Sequence, residues 1–182
     1  MGLTAERAAA VRPGIVHATV SLNGEHGVWA DRVGFDQTAG CLTGHMFLEG
    51  EPDTPALAPI GVVNDYIVAW LLTAGIVEAL CRRAVHGGSY RVHVSLTRAA
   101  WRIRGMGHFD RDYAREIADS DGAHACRTPA TFTADTPLGR YLGVTDQVRM
   151  SRTPGHYRTV LVPRGSARPQ WLTPEPPGPA AR

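Results

Sequence analysis

Asp65 is the residue in this 182-residue chain whose type and position most directly suggest chemistry. It stands immediately before a mainly apolar run over residues 66–80. In one interpretation, Asn64 or Asp65 only caps the helix that this run predicts, because short polar side chains satisfy free backbone N–H groups there. In the other, Asp65 is a carboxylate nucleophile, ionised by the helix N-terminus and sheltered from water by apolar neighbours. The pattern alone leaves both interpretations open.

Few other residues are spaced for catalysis or metal binding. The eight histidines contain no HExxH or HxH grouping, and Cys41, Cys81 and Cys126 lack metal-ligand spacing, so no metal site is predicted. Ser95 lies outside a GxSxG context, and the GMG at 105–107 follows a predicted helix, which argues against a dinucleotide loop. The chain contains no lysine, which excludes a lysine Schiff base and a P-loop.

Composition indicates a globular protein, with 43% hydrophobic and 20% charged residues and a net charge of +2. The nineteen arginines are scattered and do not alternate with aromatics, so nucleic-acid binding is not expected. The apolar run at 66–80 is shorter than the ~20 residues that cross a bilayer, so no membrane span is predicted. Since no signal peptide is evident, we expect a cytoplasmic protein. Cys41 and Cys81 lie in apolar surroundings and are predicted to be buried.

Hydrophobic periodicity predicts alternating helices and strands, which is typical of an α/β chain. The β-branched stretch 15–22 and the alternating stretch 90–96 are predicted strands. A long helix from about Asn64 to Arg83 separates them; it is apolar on nearly every face and is expected to be covered on all sides. Shorter elements are predicted elsewhere: helices after Thr4, near Phe35 or Asp36 and after residue 96, and strands at 130–133, 146–150 and 157–162.

Three stretches together resemble the class III CoA-transferase family of the CaiB/BaiF type, whose relatives include formyl-CoA transferase and alpha-methylacyl-CoA racemase. They read RPGIVHATVSLNGEHGVWADRVGFDQTAG, VNDYIVAWLLTAGIVEALCRRAVHGGSYRVHVSLTRAAW and VPRGSARPQW. Asp65 lies ten residues before Gly75, which is the family's spacing between its catalytic aspartate and that glycine. None of these motifs would suffice alone, but taken together they are specific.

The resemblance implies an α/β fold that is part of the family's Rossmann-like large domain, with a long buried helix and a reduced or absent small domain. It implies a family domain over residues 1–162, and the proline-rich composition of 163–182 predicts an extended tail. Family members are longer, and their N-terminal half contributes much of the CoA cleft. We therefore expect either a homodimer or a complex with a chain that supplies the missing half. The alternative is a non-catalytic remnant that serves as a binding or interaction module.

The resemblance also implies roles for individual residues. Asp65 would attack an acyl-CoA thioester, passing through an aspartyl anhydride and an aspartyl-CoA thioester before CoA reaches an acceptor acid. Arg32, Phe35, Asp36 and Asn64 would line the acyl-CoA site, with CoA as a substrate and no tightly bound cofactor. The racemases of the family carry a histidine where this chain has Phe35. Since a phenyl ring carries no proton, the resemblance favours CoA transfer over racemisation.

Overall fold

The computed structural model describes residues 3–57, 61–120, 128–146, 148, 150–157 and 159–170. The chain forms two compact units, Met1–Asp119 and Ser120–Arg182. These units are defined by contacts within the chain. The family domain expected over 1–162 is defined by family membership instead, and it stays a prediction. The end of the predicted tail, 171–182, lies outside the described residues.

The first unit contains a pair of parallel strands and six helices among its described residues. In chain order these elements are α1 (Ala5–Val11), β1 (Val16–Ser21), α2 (Asp36–Thr43), α3 (Met46–Glu49), α4 (Val63–His86), β2 (Tyr90–Ser95), α5 (Leu96–Arg104) and α6 (Arg111–Asp119). The predicted strands at 15–22 and 90–96 and the long helix between them are thus confirmed. The predicted helix after Thr4 is also confirmed, and the Thr4 side chain caps it by accepting a hydrogen bond from the Arg7 backbone N–H.

The two parallel strands pair in register, from Val16 opposite Tyr90 to Ser21 opposite Ser95. The connection between them runs through α2, α3 and α4, because parallel strands need a crossover. Three residues separate the end of α4 from the start of β2, and Leu22, which follows β1, packs against Val68 near the start of α4, so α4 starts at the carboxyl ends of the strands. This end of the sheet, here called the carboxyl edge, is where open α/β folds bind ligands.

A small apolar core joins the start of α4 to the carboxyl edge. Its members are largely small or branched side chains from the loop after β1 and from α2, α4 and α5: Leu22, Ala39, Val68, Leu96, Ala99 and Ala100. Ile67 and Val94 pack against this cluster. Alanine on α2 and α5 lets these helices approach closely, so the backbone at residues 36–43 is held near the first turn of α4.

Much of α4 is exposed, which corrects the expectation that neighbours cover it on all sides. Tyr66 is 60% exposed and Trp70 65% exposed. The sequence has apolar side chains on nearly every face of α4, but among the described elements one face packs on β1, β2, α2 and α5. The expectation that Cys41 and Cys81 are buried is wrong for the same reason, because both lie on exposed helix faces.

The length of α4 also exceeds the predicted apolar run. With 24 residues and a mean hydropathy of 1.4 over its most apolar 18-residue window, α4 is long and apolar enough to cross a membrane by length and composition alone. Core helices of soluble proteins satisfy the same criterion. The absence of a membrane span therefore remains a prediction.

The second unit contains an antiparallel hairpin, β3 (Thr131–Thr136) and β4 (Gly139–Val144). Gly139 at its turn has φ +106°, a conformation that favours glycine. The predicted strand at 130–133 is confirmed within β3. The described residues of 146–150 and 157–162 are not strands, and β4 was missed because Gly139 and Gly143 interrupt its alternating pattern.

Candidate active site

Asp65 is the third residue of α4, and the helix begins earlier than the capping interpretation requires. The residue that precedes the first turn is Val62, whose side chain makes no capping hydrogen bond. Asn64 and Asp65 both have helical positions inside that turn, so neither is the N-cap. The residue Asp65 is exposed, and an acidic side chain in a first turn interacts favourably with the helix dipole.

Asp36 supplies the carboxylate that satisfies the start of α4. Its Oδ2 accepts a 2.8 Å hydrogen bond from the Asp65 backbone N–H, and its Oδ1 accepts a 3.2 Å hydrogen bond from Asn64 Nδ2. Asp36 and Asn64 are each 1% exposed. The first residue of α2 thus ties two helices together through a buried polar contact, at the first turn that carries the candidate nucleophile.

The local sequence explains how Asp36 reaches this position. Phe35 has an extended backbone, and its N–H donates a 3.2 Å hydrogen bond to Thr38 Oγ1, which starts α2 at Asp36. Ala39 is fully buried in the core beside α4. The GFDQTA segment therefore turns the carboxylate at position 36 inward toward the neighbouring helix.

Burial and charge both act on the Asp65 carboxyl group. Partial burial raises the pKa of Asp65 above its ordinary value, and the negative charge of Asp36 raises it further. A carboxylate with a raised pKa is more basic and so a better nucleophile, provided that the pH keeps it ionised. The arrangement therefore suits covalent chemistry at an exposed carboxylate.

Arg32 and Phe35 lie on the loop that leads into α2, and both are exposed. The Arg32 guanidinium stacks over the Trp29 ring, 5.3 Å from its centroid. Phe35 is 76% exposed and lies next to the buried Asp36. The structure thus brings Asp36, Asn64 and Asp65 together, whereas no hydrogen bond or ion pair in the described part of the chain joins Arg32 to them. Contact of these residues with a ligand remains a prediction.

A cleft of about 810 Å³ opens at the carboxyl edge, beside the loop after β1 and the start of α5. His93 lines it; its Nε2 lies 2.9 Å from Ser21 Oγ, and its Nδ1 lies 4.0 Å from Glu25. Glu25 also forms an ion pair with Arg91. Sequence reasoning missed this polar wall, although the alternation of Arg91, His93 and Ser95 along β2 places them on one face of the strand.

Metal binding has no support in the described residues, which contain no group of three or more His, Cys, Asp or Glu side chains that could hold an ion. The start of α4 offers an exposed carboxylate, a helix N-terminus and a second, buried carboxylate. These groups fit nucleophilic attack on an activated acyl carbonyl.

Comparison with known proteins connects this arrangement with a family. The sequence profile described as CoA-transferase family III matches residues 1–131. The chain is 33% identical over 104 residues to acetyl-coenzyme A transferase nodX of Hypoxylon pulicicidum, covering 53% of this chain and 17% of that protein. It is 32% identical over 95 residues to the succinyl-CoA–L-malate CoA-transferase alpha subunit of Chloroflexus aurantiacus, covering 52% and 22%. The match thus spans about a fifth of each relative.

Two solved structures share the fold. A CAIB/BAIF family protein from Brucella suis matches with a TM-score of 0.52 and 21% identity, over 76% of this chain and 37% of that chain. A hypothetical protein from Mycobacterium tuberculosis matches with a TM-score of 0.52 and 19% identity, over 76% and 40%. These likenesses confirm the α/β fold class that the sequence predicted.

Proposed function

The chain belongs to CoA-transferase family III, and from this premise we propose that it takes part in moving CoA from an acyl-CoA to a carboxylic acid, with Asp65 as the nucleophile. The observation that carries the proposal is the exposed Asp65 in the first turn of α4, whose backbone N–H donates a hydrogen bond to the buried Asp36. Relatives named as an acetyl-CoA transferase and a succinyl-CoA–L-malate CoA-transferase subunit support transfer as the reaction class.

In the proposed reaction, the Asp65 carboxyl group is bonded first to the donor acyl group, then to CoA, and then to the acceptor acyl group. A carboxylate oxygen attacks the thioester carbonyl, the C–S bond breaks, and CoA thiolate leaves behind an aspartyl anhydride. The thiolate attacks the aspartyl carbonyl of the anhydride, releasing the donor acid and forming an aspartyl-CoA thioester. The acceptor carboxylate displaces the thiolate to form a second anhydride. Attack of the thiolate on the acceptor carbonyl gives the new acyl-CoA and restores Asp65.

The position of Asp65 suits this sequence of steps. The negative charge of the nucleophile interacts favourably with the N-terminus of α4. The Asp65 backbone N–H is held by Asp36, so the turn that carries the carboxylate is in place before substrate arrives. We propose that CoA enters as a substrate instead of a tightly bound cofactor, and that the protein acts in the cytoplasm.

Trapping of the acyl intermediate tests the nucleophile. We would incubate the chain with acetyl-CoA or succinyl-CoA, quench with hydroxylamine and identify the modified peptide by mass spectrometry. A hydroxamate at Asp65 that requires acyl-CoA is expected, and Asp65→Asn should abolish it. Asp112→Asn, which changes an exposed aspartate on α6, is the matched control and should leave the hydroxamate intact. Equal labelling of the Asp65→Asn variant would exclude Asp65 as the nucleophile.

A second chain is also part of the proposal, because α4 exposes an apolar stripe. The α4 stripe consists of Tyr66, Trp70, Val77 and Leu80, which share one helix face and are 60%, 65%, 53% and 38% exposed. Exposed apolar surface of this kind is typical of an interface. The Chloroflexus relative is named as an alpha subunit. We propose that a second copy, or a chain that completes the family fold, covers the stripe.

Light scattering tests this interface. Trp70→Arg is expected to reduce the mass of the assembly, whereas Val85→Arg, on the same helix but outside the α4 stripe, should not. If both variants keep the assembly of the unmodified chain, the stripe is not the interface.

The same stripe favours the second candidate, a non-catalytic binding or interaction module. That module would assemble through α4 but give no hydroxamate at Asp65 with any assembled partner. Racemisation has less support because Phe35 stands at the position of the racemase histidine. The corresponding test is exchange of the α-proton of a 2-methylacyl-CoA in D₂O, which we expect not to occur.

A further inference from the structure

Asp36 is a buried carboxylate that takes part in none of the steps of the proposed reaction. We propose that Asp36 is a positioning residue for Asp65: it fixes the first turn of α4 and sets the reactivity of the nucleophile through its negative charge. The inference rests on the proposed role of Asp65. It assigns to Asp36 a function other than lining the acyl-CoA site.

Hydrogen bonds join the Asp36 side chain to the turn that carries the nucleophile. One oxygen accepts from the Asp65 backbone N–H at 2.8 Å, and the other accepts from Asn64 Nδ2 at 3.2 Å. The Asn64 amide also approaches the Asp36 carbonyl oxygen at 3.4 Å. Because Asp36 and Asn64 are each 1% exposed, water does not compete for these bonds. Rotation of the first turn of α4 would break at least one of them.

The charge of Asp36 also acts on the carboxyl group of Asp65. Asp36 raises the pKa of Asp65, after the larger effect of partial burial. Within the described residues, Asp36 is the one charged group that shifts the pKa of Asp65. Asp36 also raises the pKa of His45, which burial, Arg104 and His108 lower. Asp36 lies in the first turn of α2 and against the N-terminus of α4, where a negative charge interacts favourably with the helix dipoles.

Asn64 makes a clean substitution possible. Its Oδ1 is buried without a hydrogen-bond partner among the described residues. In Asp36→Asn, the new amide oxygen can accept from the Asp65 N–H, while the new amide nitrogen faces Asn64. A flip of the Asn64 amide would turn its Oδ1 toward that nitrogen, so residues 36 and 64 can stay hydrogen-bonded while the charge is removed.

The experiment follows acylation of Asp65 as a function of pH. Hydroxamate formation from acetyl-CoA would be measured in single turnovers for the unmodified chain, Asp36→Asn and Asp31→Asn, in the assembly that is competent. Asp31 is an exposed aspartate on the preceding loop, so its substitution removes the same charge outside the contact. Circular dichroism would check that each variant folds. Asp36→Ser, which keeps an acceptor but no charge, replaces Asp36→Asn if the latter does not fold.

We expect the rate of acylation to fall off at lower pH in Asp36→Asn than in the unmodified chain, because a like charge has been removed. The plateau rate should fall several-fold, since a less basic carboxylate is a weaker nucleophile. Asp31→Asn should match the unmodified chain. A residue that only stabilised the fold would lower the rate without changing the pH at which acylation falls off. If this pH is the same in both chains, the inference is overturned although Asp65 can still be the nucleophile.

A second readout separates this inference from the proposed function. ¹³C NMR titration of the Asp65 carboxyl carbon, assigned with Asp65→Asn, requires no acyl-CoA. If no chain is acylated but the titration midpoint moves to lower pH in Asp36→Asn, the transfer proposal fails and the coupling stands. If the midpoint is the same in both chains, the inference fails whatever the acylation result.

Discussion

Gly75 of α4 lies directly against Val92 of β2, so closely that a Cβ atom at position 75 would be 2.7 Å from Val92 Cγ1. The glycine therefore sets the distance between the long helix and the strand beside it. Because Asp65 lies ten residues earlier on the same helix, this contact also fixes how the nucleophile is presented at the carboxyl edge.

Gly75→Ala is expected to lower the free energy of unfolding by about 1–2 kcal/mol, because overpacking outweighs the gain in helix propensity. Chemical denaturation would measure this change. In a Val92→Ala background the same substitution should become neutral or stabilising, since the opposing methyl groups are gone. Ala74→Gly on an exposed face of α4 is the control for propensity and should cost about 1 kcal/mol. Stabilisation by Gly75→Ala alone would contradict the close contact.

Asp36→Ala should destabilise the fold by about 1–3 kcal/mol, because the buried Asn64 amide and the Asp65 N–H lose their acceptor. Asp36→Asn should cost less, since an amide oxygen remains. Thermal or denaturant unfolding of the two variants side by side measures the difference. Equal losses would mean that the hydrogen bonds contribute little beyond the volume of the side chain.

Arg104 of α5 supports the end of α2, where its Nη1 donates to the carbonyl oxygen of the buried Thr43. A cation at a helix C-terminus also interacts favourably with the helix dipole. We expect Arg104→Ala to cost about 1–2 kcal/mol. Arg102→Ala, two residues earlier on the exposed side of α5, should stay within about 0.5 kcal/mol of the unmodified chain. The prediction fails if the two variants unfold at the same denaturant concentration.

His45 should make stability depend on pH in the range below neutrality. Burial lowers the pKa of His45, and the positive charges of Arg104 and His108 lower it further. The unfolded chain therefore binds the proton at its ordinary pKa of about 6.5, while the folded chain binds it only at lower pH. Between these two values the unfolded state holds more protons, so stability is full above about 6.5 and falls as pH decreases through the window.

Thermal unfolding from pH 5 to pH 8 measures this effect. His45→Gln should flatten the acid side of the curve, whereas His86→Gln, at an exposed position ending α4, should leave its slope unchanged. An unaltered slope in His45→Gln would assign the pH dependence to other groups.

The local sequence determined where the main strands and the long helix form. The β-branched residues at 16–21, the alternating residues at 90–95 and the apolar run after Asp65 specify their elements because period and side-chain shape act within a few residues. Family motifs likewise placed Asp65 on a helix at the correct distance from Gly75.

Tertiary structure alone decided what surrounds Asp65. The sequence offered Asn64 or Asp65 as a cap and Asp36 as a ligand-site residue, but the fold brings the Asp36 carboxylate across 29 positions to the Asp65 N–H. It also leaves Trp70 exposed on a helix that looked buried on every side. The hydrophobicity of a residue indicates whether burial is favourable for it. Whether it is buried, and which charges lie near it, depends on distant segments that contact it only when the helices pack.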